Sequence, residues 1–143
     1  MTAERTTTRF GGDQRLTVLD GGRAVGPRVM LVDDDAMIRE AFVEVMREEG
    51  YDVVTAGDGE EALRILQGGE RPRLIFLDLG MAGMGGGAFR ARQRKDPVLA
   101  GIPLVVLSAA GDVERQAEAL GVAGWLRKPY HFRQLLEFVE RYR

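Results

Sequence analysis

The feature that most constrains this chain is a strict alternation, from Pro27 onward, of short apolar runs with segments of helical period. Val29-Met30-Leu31-Val32 is a continuous apolar run, the pattern of a strand buried on both faces. Met37, Ile38, Ala41, Phe42, Val45 and Met46 then share one helical stripe that ends near Gly50. Tyr51 to Ala56 reads as a second strand. Asp58 with Glu61 is a capping-box arrangement that opens a helix carrying Ala62, Leu63 and Leu66. The third strand, Leu74-Ile75-Phe76-Leu77, ends at Asp78, and a Gly-rich turn leads to a weak helix from about Gly87 to Lys95. Leu104 to Leu107 is the fourth strand and ends at Ser108; Val113, Ala117 and Leu120 mark the next helix. Val122 to Leu126 is the fifth strand and ends at Lys128-Pro129. Phe132, Leu135, Leu136 and Val139 stripe the last helix.

Five β-α units in this order predict an α/β, doubly wound, five-stranded parallel sheet with helices on both faces, because each crossover is right-handed. Its expected strand order is 2-1-3-4-5, the flavodoxin-like arrangement. The 143 residues suffice for one core and not for two ordinary domains. Residues 28–143 are assigned to that domain, with no room after the last helix for an output domain. Residues 1–27 read differently, being rich in Thr, Arg and Gly. They form an N-terminal extension for which a flexible arm is at least as well supported as a short hairpin of Arg15 to Leu19 with Arg23-Ala24-Val25 around Asp20-Gly21-Gly22.

Composition removes several classes. The chain has no cysteine, which excludes a disulfide scaffold and thiolate metal sites. A net charge of −2 gives no overall push toward nucleic acid or an anionic membrane. The sequence shows no signal-peptide core and no run of membrane-spanning length. A cytoplasmic location, with no direct nucleic-acid or membrane partner, is the expectation.

Doubly wound sheets bind ligands beyond the carboxyl ends of their strands, where strand order reverses. The residues at those ends are Asp33 and Asp34, Asp78, Ser108 and Lys128. Clustered carboxylates repel one another, and a hard divalent cation relieves the repulsion. Mg²⁺ takes one or two carboxylates and leaves room for water and a phosphate oxygen. An aspartate carboxylate can also act as a nucleophile and form an aspartyl phosphate. Catalysis of phosphoryl transfer is mostly positioning and charge neutralisation, for which Mg²⁺, the Lys128 ammonium and the Ser108 hydroxyl are suited.

Val32-Asp33-Asp34-Asp35, Leu77-Asp78-Leu79, Met81 to Met84, Leu107-Ser108-Ala109 and Lys128-Pro129-Tyr130 resemble, in order and spacing, the signature of bacterial two-component response-regulator receiver domains, such as stand-alone chemotaxis receivers. The similarity covers about Pro27 to Arg143. It implies a phosphorelay switch rather than an enzyme acting on other substrates. Asp78 would be the phosphoacceptor. Asp33, Asp34, Asp78 and the Gly80 backbone carbonyl would hold Mg²⁺, with Asp34 favoured over Asp33 for direct contact. Ser108 and Lys128 would hold the phosphoryl oxygens, and Ser108 and Trp125 fall on switch positions. The implied partners are a histidine kinase or histidine phosphotransfer protein and a downstream protein target, with a homodimer possible through the 112–143 face.

Read singly, these residues have plainer roles. Asp35 suits a helix cap, Ser108 a turn, Lys128 a solvated surface, Trp125 core packing, and His131 the surface near the last helix. Asp78 fits a plain reading least well, because an unpaired carboxylate ending an apolar strand is costly. Two rivals fail on residues. A haloacid-dehalogenase-type phosphatase needs a second Asp two positions after its nucleophile, where this chain has Gly80. A dinucleotide site needs glycines after the first strand, where three aspartates stand. The chain also departs from the receiver pattern. Ala82 replaces the usual proline and Gly85-Gly86 the usual Asp-Gly. Arg90 and Gln93 stand at apolar core positions of a helix made basic by Arg90, Arg92, Arg94 and Lys95. A loosely docked, solvated helix is the preferred reading; a docking surface for an acidic partner is the alternative.

Overall fold

The computed structural model describes residues 6–9, 15–19, 23–81 and 83–143, with side chains from Gly26 on. Ala82 and the Asp20-Gly21-Gly22 turn lie outside the described residues. Three short strands come first: β1 (Thr6–Arg9), β2 (Arg15–Leu19) and β3 (Arg23–Val25), an antiparallel sheet in that order. In it β2 and β3 pair with Leu19 opposite Arg23 and Thr17 opposite Val25.

The main body alternates β4 (Arg28–Val32), α1 (Ala36–Glu48), β5 (Asp52–Ala56), α2 (Gly59–Gln67), β6 (Leu74–Asp78), α3 (Gly86–Lys95), β7 (Leu104–Ser108), α4 (Val113–Leu120), β8 (Gly124–Arg127) and α5 (Phe132–Arg141). The five strands are parallel in the order β5-β4-β6-β7-β8, the 2-1-3-4-5 order expected from the sequence. Successive strand residues point to opposite faces. Val29, Leu31, Phe76, Val105 and Leu107 therefore meet Phe42 and Met46 of α1 and Leu135 and Val139 of α5. Met30, Val32, Ile75, Leu77 and Leu104 meet Ala62, Leu63 and Leu66 of α2 and Phe89 of α3. Val113 and Ala117 seat α4 over Val106. At the opposite end from the strand-end aspartates, Arg28 is paired with both Asp52 and Glu70, anchoring the starts of β4 and β5.

Register places the candidate groups on one edge. Val32 stands beside Leu77, Asp78 beside Leu107 and Ser108 beside Arg127, so the residues that end or follow these strands line up across the sheet.

Three local expectations change. Met37 is not part of the buried stripe of α1; it is 79% exposed. The fifth strand begins at Gly124 rather than Val122, because Gly121 at φ 66° ends α4 and Val122 donates its N–H back to the Ala117 carbonyl. The third change concerns α3, which is not loosely docked. Gln93 is fully buried and its amide nitrogen donates to the carbonyls of Leu99 (3.1 Å) and Ile102 (2.9 Å). Arg90 donates to the Leu120 and Gly121 carbonyls at the end of α4, at 3.0 and 2.7 Å, and to Gln93 Oε1 at 2.8 Å. Both residues are stabilised where apolar ones were expected because every polar group they bury finds a partner.

Candidate functional site

Each acidic residue of the cluster is set by a short backbone motif. β4 ends at Val32, and the Asp33 N–H donates to the Ala56 carbonyl of β5 at 3.0 Å, which extends the ladder by one step and buries Asp33. Asp33 Oδ1 accepts the Asp35 N–H at 2.8 Å. Asp35 caps α1 by accepting from the Met37 and Ile38 N–H groups. Asp34, between them, is exposed. Arg39 on the first turn of α1 donates to the Asp33 carbonyl at 2.7 Å and fixes the bend.

Asp78 is the last residue of β6 and is buried. Its Oδ1 accepts the Gly80 N–H at 2.9 Å and pairs with Lys128 Nζ at 2.9 Å. Lys128 follows β8, its N–H donating to the Ser108 carbonyl at 2.8 Å, and the bond to Pro129 is cis. One oxygen of Asp78 is thus committed twice. Among the described residues Oδ2 has no protein partner.

Oxygens of Asp33, Asp34 and Asp78 lie within 4.8 Å of one another. Three carboxylates face one ammonium. Burial, with the neighbouring charges of Asp78 and Asp34, raises the Asp33 pKa above the ordinary carboxylate value, although the Asp35 N–H and Lys128 work against this. Such a group is short of positive charge, and an all-oxygen donor set of this kind fits a hard divalent cation.

The cluster floors a cleft of about 590 Å³ whose walls include Ile38, Ala109, Pro129, Tyr130 and Phe132. The sequence reading named none of these as wall residues. Tyr130 directly follows Lys128-Pro129, but which way its ring points is set by packing against Phe132, with ring centroids 6.5 Å apart. Burial, then Asp33 and Asp78, push its phenol up to about 12, so it faces the acidic cluster as a neutral O–H.

The other sequence candidates divide. Asp33, Asp34, Asp78, Gly80 and Lys128 all line the cleft. Ser108 is buried beside it, with Oγ accepting the Ala110 N–H at 3.0 Å. Trp125 lies outside, on β8 opposite Val106, packed near Val113 and Ala117 with the Arg127 guanidinium 5.5 Å from its ring centroid. His131 caps α5, its N–H donating to Gln134 Oε1 at 2.9 Å. Among the described residues no helix is long and apolar enough to cross a membrane.

Comparison with known proteins agrees with this geometry. The family model for the response regulator receiver domain matches residues 29–140. The transcriptional regulatory protein PdtaR of Mycobacterium tuberculosis is 34% identical over 125 residues, which are 85% of this chain and 58% of that protein. The DNA-binding response regulator MtrA of Mycobacterium leprae is 35% identical over 111 residues, 76% of this chain and 48% of that protein. The chain therefore spans about half the length of these curated relatives. Among solved structures, chemotaxis protein CheY4 of Vibrio cholerae superposes with a TM-score of 0.73 at 31% identity, covering 82% of this chain and 98% of that one. Response regulator TrrA of Thermotoga maritima, crystallised with Mg²⁺ and BeF, gives 0.71 at 30% identity, covering 82% and 99%. With the sheet order, the strand-end aspartates and the family match in agreement, the chain belongs to the response regulator receiver domain family.

Proposed function

We propose that the unit formed by residues 28–143, with residues 1–27 as an appendage, is a signalling switch that accepts a phosphoryl group on Asp78. The observation that carries this reading is the asymmetry of the Asp78 carboxylate. Lys128 and the Gly80 N–H hold Oδ1, and Oδ2 is left without a protein partner beside two further carboxylates. In the transfer, Oδ2 attacks the phosphorus of a phosphohistidine on a histidine kinase or phosphotransfer protein. The P–N bond breaks, its electron pair returns to the imidazole, and that ring takes up a proton. Lys128 steadies the acceptor and neutralises developing charge on the phosphoryl oxygens. Ser108 spends a lone pair on Ala110, and its hydroxyl proton remains to be donated to a phosphoryl oxygen. Asp33, Asp34, Asp78 and the Gly80 carbonyl are the groups that would hold Mg²⁺, which supplies charge neutralisation for the incoming phosphate. The BeF-bound relative supports this pairing of metal and phosphoryl mimic.

The apolar wall of Ile38, Pro129, Tyr130 and Phe132 keeps one side of the cleft poor in water, which slows hydrolysis of an acyl phosphate and suits a flat donor ring. The signal then leaves by protein–protein contact on the α4-β8-α5 side. The test is intact-protein mass spectrometry after incubation with a small-molecule phosphodonor and Mg²⁺. One added phosphoryl group is expected in the wild type and none in Asp78→Asn. Equal labelling of that variant would place the acceptor elsewhere.

A further inference from the structure

We infer that the groove between α3 and α4 is a docking site for an acidic peptide segment of another protein. The inference concerns a groove that shares no lining residue with the Asp78 cleft and does not depend on the chemistry of Asp78.

Three observations converge. First, a second cavity, of about 250 Å³, opens between the two helices, lined by Leu79, Gly86, Gly87, Gln116, Ala119 and Leu120. Gly87 leaves it open, since a Cβ built there meets nothing within 4 Å. The cavity accepts an apolar side chain of modest size. Second, Gln116 Oε1 is buried with no hydrogen-bond partner among the described residues. An unpaired buried acceptor is costly, so turning the Gln116 amide into the groove to meet an N–H of an incoming backbone relieves it.

Third, the charge at one end of the groove is uncompensated. α3 carries Arg90, Arg92, Arg94 and Lys95 and no acid. Among the described residues Arg92, Arg94 and Lys95 form no ion pair. Arg90, spent on the α4 carbonyls, has its pKa lowered by burial and then by the charge of Arg94. At 100° per residue, Gly87, Ala91, Arg94 and Lys95 follow one another along the groove side of α3. Leu120, which lines the cavity, is followed by Gly121, against which the Arg94 guanidinium lies. The apolar notch and the free cations are therefore contiguous. On α4 the same periodicity turns Glu114 and Glu118 to the opposite flank.

A segment that places an apolar side chain in the notch and Asp or Glu one to two turns along complements both features. Nucleic acid complements only the charge, and α3, ten residues long, presents about 15 Å of it.

The experiment is a random-peptide display selection on the full chain, followed by affinity measurement of the selected synthetic peptides. Wild type is compared with Arg94→Glu/Lys95→Glu and with Gly87→Leu. The last variant fills the notch and replaces a helical glycine by a better helix former, so it folds. Selected peptides are expected to combine acidic residues with an apolar anchor and to bind each variant about tenfold or more weakly, a loss of about 1.4 kcal/mol. A library that yields no binder, or peptides that bind all three proteins equally, overturns the inference. So does a single-stranded oligonucleotide that binds wild type and Gly87→Leu alike and is lost only in the charge variant, since the surface is then a polyanion site.

Discussion

Asp33 sits in the acidic cluster with its pKa raised above the ordinary carboxylate value, first of all by burial. Because its pKa is raised, the folded protein holds that proton more tightly than the unfolded chain. Its contribution to stability is therefore fullest at acid pH and is lost as pH rises through the raised value. Asp33→Asn keeps an oxygen to accept the Asp35 N–H and removes the charge. Without Mg²⁺ the variant is expected to melt a few degrees higher than wild type at neutral pH, for a gain of about 1 kcal/mol. The difference is expected to shrink toward acid pH, and the stabilisation of the variant by Mg²⁺ to be weaker. Thermal melts across pH, with and without Mg²⁺, check this; a variant that melts no higher at neutral pH would mean that desolvation is already compensated. At this scale the strand-end aspartates and Lys128 were legible because they interrupt apolar runs. The partition of Asp78 into one bound and one free oxygen was not, since it depends on Gly80 and Lys128 meeting across fifty residues of chain.

Elements were legible where burial is continuous. The inner strands β4, β6 and β7 read as near-continuous apolar runs because both their faces are covered, whereas the edge strands β5 and β8 are only partly buried. The start of β8 was misplaced because Val122 is as apolar as a strand residue yet belongs to the turn after Gly121. α3 was misread for a different reason. Gln93 and Arg90 look solvated locally, but their partners are carbonyls six to thirty-one residues away, which no periodicity encodes. The two are expected to differ in weight. Gln93→Ala leaves the Leu99 and Ile102 carbonyls without their amide donor, as well as a small void, and is expected to cost about 2–4 kcal/mol. Arg90→Ala exposes its acceptors to water and is expected to cost about 1 kcal/mol. Urea denaturation of both variants checks the order, and equal losses would show that α3 is held mainly by Phe89.

Across the whole molecule, β8 and the loop between β7 and α4 connect the cleft, at Ala109, with Trp125 outside it. Arg127 spans this connection, stacking on Trp125 and donating to the Gly111 carbonyl at 3.0 Å, three residues beyond Ser108. Trp125 is the only tryptophan in the chain, so fluorescence reports on this span alone. Beryllofluoride with Mg²⁺ is expected to shift its emission, and Asp78→Asn to abolish the shift. Identical spectra in a protein shown to be phosphorylated would mean that the signal leaves by another route. α4 itself is held unequally. Arg90 grips the two carbonyls at its C-terminal end, whereas Asp112 gives its N-terminus no side-chain cap. The helix therefore resembles a lever with its fulcrum at the far end. Over eight residues, about 12 Å, a displacement of about 1 Å near Ser108 becomes a tilt of roughly 5°. A partner resting on α4 would read a change of slope rather than a change of place.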